Sequence, residues 1–183
     1  MISEWQSFLE QAGAVIEHNR VLGFGNVEHE LRAAVTGTVL CDLSHIGLIR
    51  ASGEETGTFL QGQLTNDIRQ PSPARSQLTA YCTPKGRTLA CLRLFRRGDN
   101  YYLRLPEERV DFVLKRLRLF ILRAKTSLEN AGGELARLGL AGAEAGTTLR
   151  TLLGDAPQNT DDAQQTNEIT VIRVPGVHPR FEL

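Results

Sequence analysis

The sequence contains few of the features that mark secreted, membrane or disulfide-bonded proteins. It has three cysteines, and Cys41, Cys82 and Cys91 form no CxxC pair. This usage argues against a disulfide framework and favours a reducing compartment. No stretch approaches the roughly 20 apolar residues of a membrane-spanning helix, and the N-terminus lacks the basic start and apolar run of a secretory signal. We therefore expect a cytoplasmic protein that does not enter a membrane.

Motifs for metal binding and for the common catalytic classes are also missing. The spacing of the four histidines fits no zinc motif; they are His18, His29, His45 and His178. There is no P-loop, no GxSxG elbow and no Cys–His pair. His45 could act as a base beside Asp42 or Ser44, but a structural hydrogen bond at the start of a strand explains it better. The sequence therefore offers no catalytic residue.

The formal net charge of zero hides a strong asymmetry along the chain. Residues 85–125 contain twelve Lys and Arg against four Asp and Glu, a local net charge of +8, while the segments on either side each carry −4. A segment this basic in an otherwise acidic chain indicates an anionic partner. The alternative is that these side chains form solvated outer faces of a strand and a helix.

The pattern of apolar residues predicts short helices interleaved with hairpins. "YCTPKGRTLACLRLF", residues 81–95, reads as two strands around a Pro84–Lys85–Gly86 turn. Pro106 suits the first position of a helix, whose core-facing stripe consists of Val110, Val113, Leu114, Leu117 and Ile121. "RAKTSLEN" and "ELARLGLAG" read as a further hairpin around a Gly132–Gly133 turn, and the polar run "DAPQNTDDAQQTNE" reads as a surface loop.

Hairpins alternating with helices predict the α+β class, with mainly antiparallel sheets. We divide the chain into an N-terminal helix and connector, residues 1–37, and a main region, residues 38–183. The final "RFEL" reads as a strand with nothing behind it, which leads us to expect a fragment or a shortened relative.

Four motifs occur in an order and spacing that resemble one family. "DLSHIGLIRASG", "FLQGQLTNDI", "YCTPKGRTLACLRLF" and "ILRAKTSL" are similar to the T-protein superfamily, which includes the folate-dependent aminomethyltransferase of the glycine cleavage system. "FLQGQLT" and "CTPKGR" resemble more closely its YgfZ branch, folate-binding proteins linked to iron–sulfur cluster maintenance and tRNA modification. The resemblance runs from about residue 38 onward and implies the N-terminal half of a T-protein-like fold.

The resemblance implies tetrahydrofolate or a folate derivative as the ligand. It also implies iron–sulfur or tRNA-modifying enzymes as partners, and no direct binding of DNA. Arg and Lys suit such a ligand because they bind carboxylates. The candidate contact residues are Tyr81, Lys85, Arg87, Cys91, Arg93, Arg123 and Lys125. Tyr81 could stack on a pteridine or benzoyl ring, although packing in the core is the stronger alternative.

The chain departs from the family pattern at two places. The aminomethyltransferase hairpin reads approximately NERGGxxDDL, and its acids align with Ala90 and Cys91 here. Neither an alanine nor an ordinary thiol carries a negative charge at neutral pH, so the acid–base group for aminomethyl transfer is lost. The KGCYxGQE motif of the YgfZ branch has no counterpart in the 183 residues. We therefore expect a folate-binding accessory protein without independent catalysis.

Two other functions stay open from the sequence. One is an aminomethyltransferase that uses an unaligned acid; Asp67 of "LTND" is a poor substitute, since a turn or cap explains it. The other is a non-catalytic nucleic-acid-binding module, with Tyr101 and Tyr102 in the basic stretch but no RRM-like aromatic motif.

Strand alternation allows only one of Ala90 and Cys91 to point toward a ligand. Successive side chains point to opposite faces, so Cys91 shares a face with Arg87 and Arg93, and Ala90 shares the other with Leu92. If the arginines line the site, Cys91 occupies the position of the lost acid. The alternative is that Cys91 packs in the core and the arginines reach outward at the strand ends.

Overall fold

A computed structural model of the chain describes residues 2–166 and 168–183. Its helices are α1 (Ser3–Gln11), α2 (Val27–Thr36), α3 (Thr56–Gln61), α4 (Glu107–Arg118) and α5 (Ala145–Leu153). Its strands are β1 (Val15–Glu17), β2 (Arg20–Gly23), β3 (Thr38–Asp42), β4 (Ile46–Ser52), β5 (Gln77–Cys82), β6 (Thr88–Arg97), β7 (Asn100–Pro106), β8 (Ser127–Asn130), β9 (Leu138–Gly142), β10 (Ala163–Thr166), β11 (Ile169–Val174) and β12 (Arg180–Glu182).

The first of two compact units combines the two ends of the chain, the residues up to His45 and Gly133–Leu183. Its main sheet is antiparallel, in the strand order β10-β11-β12-β9-β3. The core of this unit includes Leu140, Leu149 and Phe181. A separate hairpin, β1-β2, turns at two residues with positive φ, His18 and Asn19, as a type I′ turn requires.

The second unit is the continuous stretch Ile46–Gly132. Its antiparallel sheet has the order β5-β6-β7-β4-β8. Helix α4 packs on this sheet, and Val110, Val113, Leu114 and Leu117 are buried along its length because their spacing places them on one helical face. Glu107 and Glu108 in its first turn and three basic residues in its last turn complement the helix dipole.

The predicted α+β class with antiparallel sheets is confirmed. The expected stripe of α4 is also confirmed, with Ile121 partly buried against the same core and Pro106 standing just before the helix. The division into two compact units does not test the expected boundary after residue 37, which stays a prediction. No helix in the described part of the chain is long and apolar enough to cross a membrane.

Two local predictions were wrong. "RAKTSLEN" and "ELARLGLAG" do not form a hairpin, because β8 pairs with β4 whereas β9 pairs with β3 and β12. The glycine pair between them, Gly132 and Gly133, marks the boundary of the two units instead of a tight turn. The polar loop contains strand β10, which joins the sheet edge through backbone pairing with β11 and so needs few apolar side chains. Strand β10 ends at Thr166, and Asn167 lies outside the described residues.

Candidate functional site

The basic hairpin predicted from the sequence is formed by β5 and β6. Residues 83–87 connect the strands: Gly86 N donates to Thr83 O at 2.9 Å, and Thr83 N donates to Arg87 O at 2.8 Å. Gly86 has φ +76°, the left-handed conformation that ends a three-residue hairpin loop. Lys85 and Arg87 are exposed in this turn. The turn therefore presents two mobile cations at the tip of the hairpin.

The two faces of β6 have the parity that strand alternation predicts. Ala90, Leu92 and Leu94 belong to the hydrophobic core of the second unit, with Ala90 only 7% exposed. Cys91 is exposed and shares the opposite face with Arg93. The alternative in which Cys91 packs in the core is therefore wrong. Of the two positions aligned with the family's acids, Cys91 is the one that does not face the core.

We define the site face as the side of the sheet carrying Leu78, Ala80, Cys91, Arg93 and Arg104. The strand register places Ala80 opposite Cys91, and Arg93 between Leu78 on one side and Arg104 on the other. Directly opposed side chains on one face of a sheet lie within contact range. Leu78 is 59% exposed and Cys91 is also exposed, whereas Arg93 opposite Leu78 is buried, so the β5–β6 end of the face is accessible at Leu78 and Cys91.

Arg93 is held firmly in this face. Its side chain is only 5% exposed, and its Nη1 donates to the hydroxyl of Ser76 at 2.8 Å. Buried guanidinium groups persist in proteins only where they have partners, because desolvation of a charge is costly. Arg104 stands directly across from it in the register of β6 and β7.

The strands that carry the site face contain no carboxylate. The sequences of β5, β6 and β7, QLTAYC, TLACLRLFRR and NYYLRLP, lack both Asp and Glu. On the neighbouring strand β4, Arg50 forms an ion pair with Glu129 of β8. These three strands therefore provide no acid that could exchange a proton with a ligand at the site face.

Tyr81 lies on the wrong side of the sheet for a ligand at this face. It is 3% exposed, pairs with Ala90 and belongs to the core cluster. Core packing, the stronger alternative from the sequence, accounts for its position.

Arg123 and Lys125 lie between α4 and β8, outside the strands of the site face. Arg123 is exposed. The Nζ of Lys125 forms an ion pair with Glu54 at 3.0 Å, and its backbone N donates to Glu55 Oε2 at 2.6 Å. These bonds tie Lys125 to the segment that begins α3. Of the seven expected contact residues, the structure places Cys91 and Arg93 on one face, with Lys85 and Arg87 at the tip of the same hairpin.

The sequence reasoning missed Arg104. Its signal was present in the alternation of "YYLRL", where Leu103 and Leu105 face the core and Arg104 must face away. The composition of the basic stretch gives the number of charges, but the alternation within each strand decides which of those charges share a face.

Asp67 is engaged elsewhere, as expected for a turn residue. Both of its carboxylate oxygens bind the Arg69 side chain, and Arg69 N donates to Oδ1 at 3.0 Å. These hydrogen bonds lower the pKa of Asp67 to about 2. Asp67 is therefore held as a carboxylate by Arg69 in its own loop.

The two tyrosines of the basic stretch do not form an exposed stacking surface. Tyr102 is 6% exposed and stacks on Phe95 with a centroid separation of 5.4 Å. The Arg96 guanidinium covers the ring of Tyr101 at 5.2 Å. Among the described residues there is also no group of three or more His, Cys, Asp and Glu side chains suited to a metal ion.

Comparison with known proteins places this architecture in a family. Residues 7–180 match the family described as the GCVT N-terminal domain. The chain is 29% identical over 149 residues to the tRNA-modifying protein YgfZ of Colwellia psychrerythraea, covering 81% of this chain and 46% of that protein. It is 31% identical over 130 residues to the aminomethyltransferase of Bacillus subtilis, covering 70% of this chain and 36% of that protein.

A solved structure supports the same fold. Glycine cleavage system aminomethyltransferase T from Bartonella henselae superposes with a TM-score of 0.78 at 18% identity, covering 100% of this chain and 52% of that one. The chain thus spans about half the length, or less, of these three proteins.

Proposed function

Because this chain belongs to the GCVT N-terminal domain family, we propose that it binds a folate at the site face and acts as a YgfZ-like accessory protein. The supporting observation is that the exposed Leu78 and Cys91 lie on one face beside Arg93 and Arg104, on three strands that carry no carboxylate. The similarity to a tRNA-modifying protein YgfZ supports the assignment to the YgfZ branch.

The chemistry of a folate matches the two parts of the face. A folate has a planar heterocycle and a benzoyl ring, which gain from apolar contact with Leu78, Ala80 and Cys91. Its glutamate carboxylates are planar acceptors, which suit the forked donor of Arg104, the partly exposed member of the arginine pair. Lys85 and Arg87 at the hairpin tip would attract the anion without fixing its position.

The absence of an acid separates binding from catalysis. Transfer of an aminomethyl group requires a group that manages the proton on the reacting nitrogen. With Ala90 in the core and Cys91 on the site face, the hairpin holds the ligand but lacks that group. The role we propose is therefore to bind folate in iron–sulfur or tRNA-modification metabolism in the cytoplasm.

Calorimetric titration with tetrahydrofolate tests this proposal. We expect saturable heat for the wild-type chain, and weakening of about tenfold or more for Arg104→Ala, because a hydrogen bond to a charged group contributes roughly 1.5–3 kcal/mol. Arg109→Ala is the matched control, since Arg109 is an exposed arginine of α4 outside the site face. No heat at millimolar ligand, with the protein shown to be folded by circular dichroism, would contradict the proposal.

Aminomethyl transfer is the second candidate, favoured by the 31% identity to the Bacillus subtilis aminomethyltransferase. The glycine cleavage assay with aminomethylated lipoyl protein distinguishes it from the first. We expect no turnover above background, and measurable turnover would mean that an acid outside the hairpin performs the chemistry.

A further inference from the structure

Helix α2 is stabilised by local hydrogen bonds at its N-terminus. The Asn26 side chain accepts from His29 N at 3.0 Å and so caps the helix. Glu30 Oε1 accepts from the backbone N of Phe24 at 2.8 Å and of Asn26 at 3.3 Å. These bonds tie the first turn of α2 to the connector residues that precede it.

One face of α2 is an apolar stripe that residues 2–166 and 168–183 leave exposed. Val27, Leu31 and Val35 recur every four residues, and they are 65%, 63% and 76% exposed. No residue of the helix is buried. Leu22 and Phe24, just before the helix, are also exposed, at 58% and 42%. Helices of globular proteins bury such a stripe, and an exposed one marks a site of interaction.

The charges beside this stripe indicate what covers it. Glu28 and Arg32 lie one turn apart on the same flank of the stripe, since residues four positions apart are neighbours on a helix. Both are exposed. Within residues 2–166 and 168–183, neither side chain has a hydrogen bond or an ion pair. The opposite flank carries Glu30, whose carboxylate is occupied by the backbone amides of residues 24 and 26.

We propose that a second copy of this chain covers the stripe, with the two α2 helices packed antiparallel about a two-fold axis. In an antiparallel pair each flank meets the same flank of the partner, so each Glu28 lies beside the other copy's Arg32. A surface that carries both an acid and its complement on one flank is self-complementary, which a two-fold interface requires. The antiparallel arrangement also places opposite ends of the helix dipoles together. This inference is independent of the proposed function.

Sedimentation velocity of the full chain over a range of concentrations tests the proposal. The wild type should form a dimer, and Glu28→Arg and Arg32→Glu should each weaken it about tenfold, because each replaces two attractive pairs with two repulsive ones. The double variant E28R/R32E restores opposite charges and should return to within about twofold of the wild type. Glu4→Arg is the matched control, since Glu4 is likewise the second residue of an exposed helix, α1.

Three results would overturn it. They are a wild-type chain that stays monomeric at every concentration, single variants that dimerise as well as the wild type, and a double variant that fails to recover. Circular dichroism of each variant confirms that the fold is retained. Leu31→Asp, which places a charge in the middle of the stripe, should abolish the dimer whatever the outcome at the flanks.

Discussion

At the scale of single residues, the strand parity around positions 90 and 91 decides what the hairpin can do. Alternation alone predicted that only one of the two faces away from the core, and the structure shows that it is Cys91. Arg104 escaped prediction although alternation in "YYLRL" turns it away from the core, because its place beside Arg93 also requires the register of β6 against β7. For Tyr81 the sequence favoured core packing over a ligand contact, and the structure places its ring in the core.

Substitution of aspartate at each position should separate the two faces. Ala90→Asp places a carboxylate in the core and should cost about 3 kcal/mol or more, because a buried charge without a partner is strongly disfavoured. Cys91→Asp places it on an exposed strand position next to Arg93 and should be tolerated. Thermal melts of the two variants decide the matter: a large loss for Cys91→Asp with a harmless Ala90→Asp would place the core on the other face.

Asp67 should titrate far below an ordinary aspartate. Its pKa in the folded protein, about 2, lies below its ordinary value of 3.8 because Arg69 donates hydrogen bonds to the ionised form. The bond to Arg69 is therefore fully effective above pH 4 and is lost as the pH falls through about 2. Carbon-detected NMR should show a midpoint near 2 that returns toward 3.8 in Arg69→Gln; equal midpoints in the two proteins would show that Arg69 is not the cause.

At the scale of elements, close approach of α4 to β4 positions the helix on the sheet. A Cβ at Gly47 would collide with the Val110 side chain and come within 3.0 Å of the Glu107 backbone Cα. Only glycine permits this separation at that position of β4. The stripe of α4 was predictable from its spacing, whereas the need for Gly47 was not, since it arises where a strand and a helix far apart in sequence meet.

Gly47→Ala should therefore destabilise the protein. The added methyl forces the helix and strand apart, which costs about 1–3 kcal/mol as overpacking of a core. Gly133→Ala is the control, because a Cβ there would meet no atom within 4 Å. Chemical denaturation measures the free energy of unfolding of both variants. Equal values would mean that α4 adjusts to the added methyl group without cost.

At the scale of the whole molecule, the charge asymmetry and the fold class were accessible from sequence. The basic residues 85–125 all fall within the second unit, Ile46–Gly132. The two-unit organisation was not accessible, because the first unit is assembled from both ends of the chain. That is why "RAKTSLEN" and "ELARLGLAG", adjacent in sequence and each strand-like, join different sheets.

The central claim, that a folate occupies the site face, is tested most directly by the reactivity of Cys91. Alkylation by iodoacetamide, followed by mass spectrometry, reports each of the three cysteines separately with and without tetrahydrofolate. Cys41, in the first unit, is the internal reference. Desolvation of its thiol by neighbouring groups raises its pKa, so it should react slowly, and its rate should not depend on the ligand. We predict that saturating folate slows Cys91 several-fold and leaves Cys41 unchanged. Unchanged alkylation of Cys91 in the presence of bound folate would show that the ligand lies elsewhere and would contradict the account.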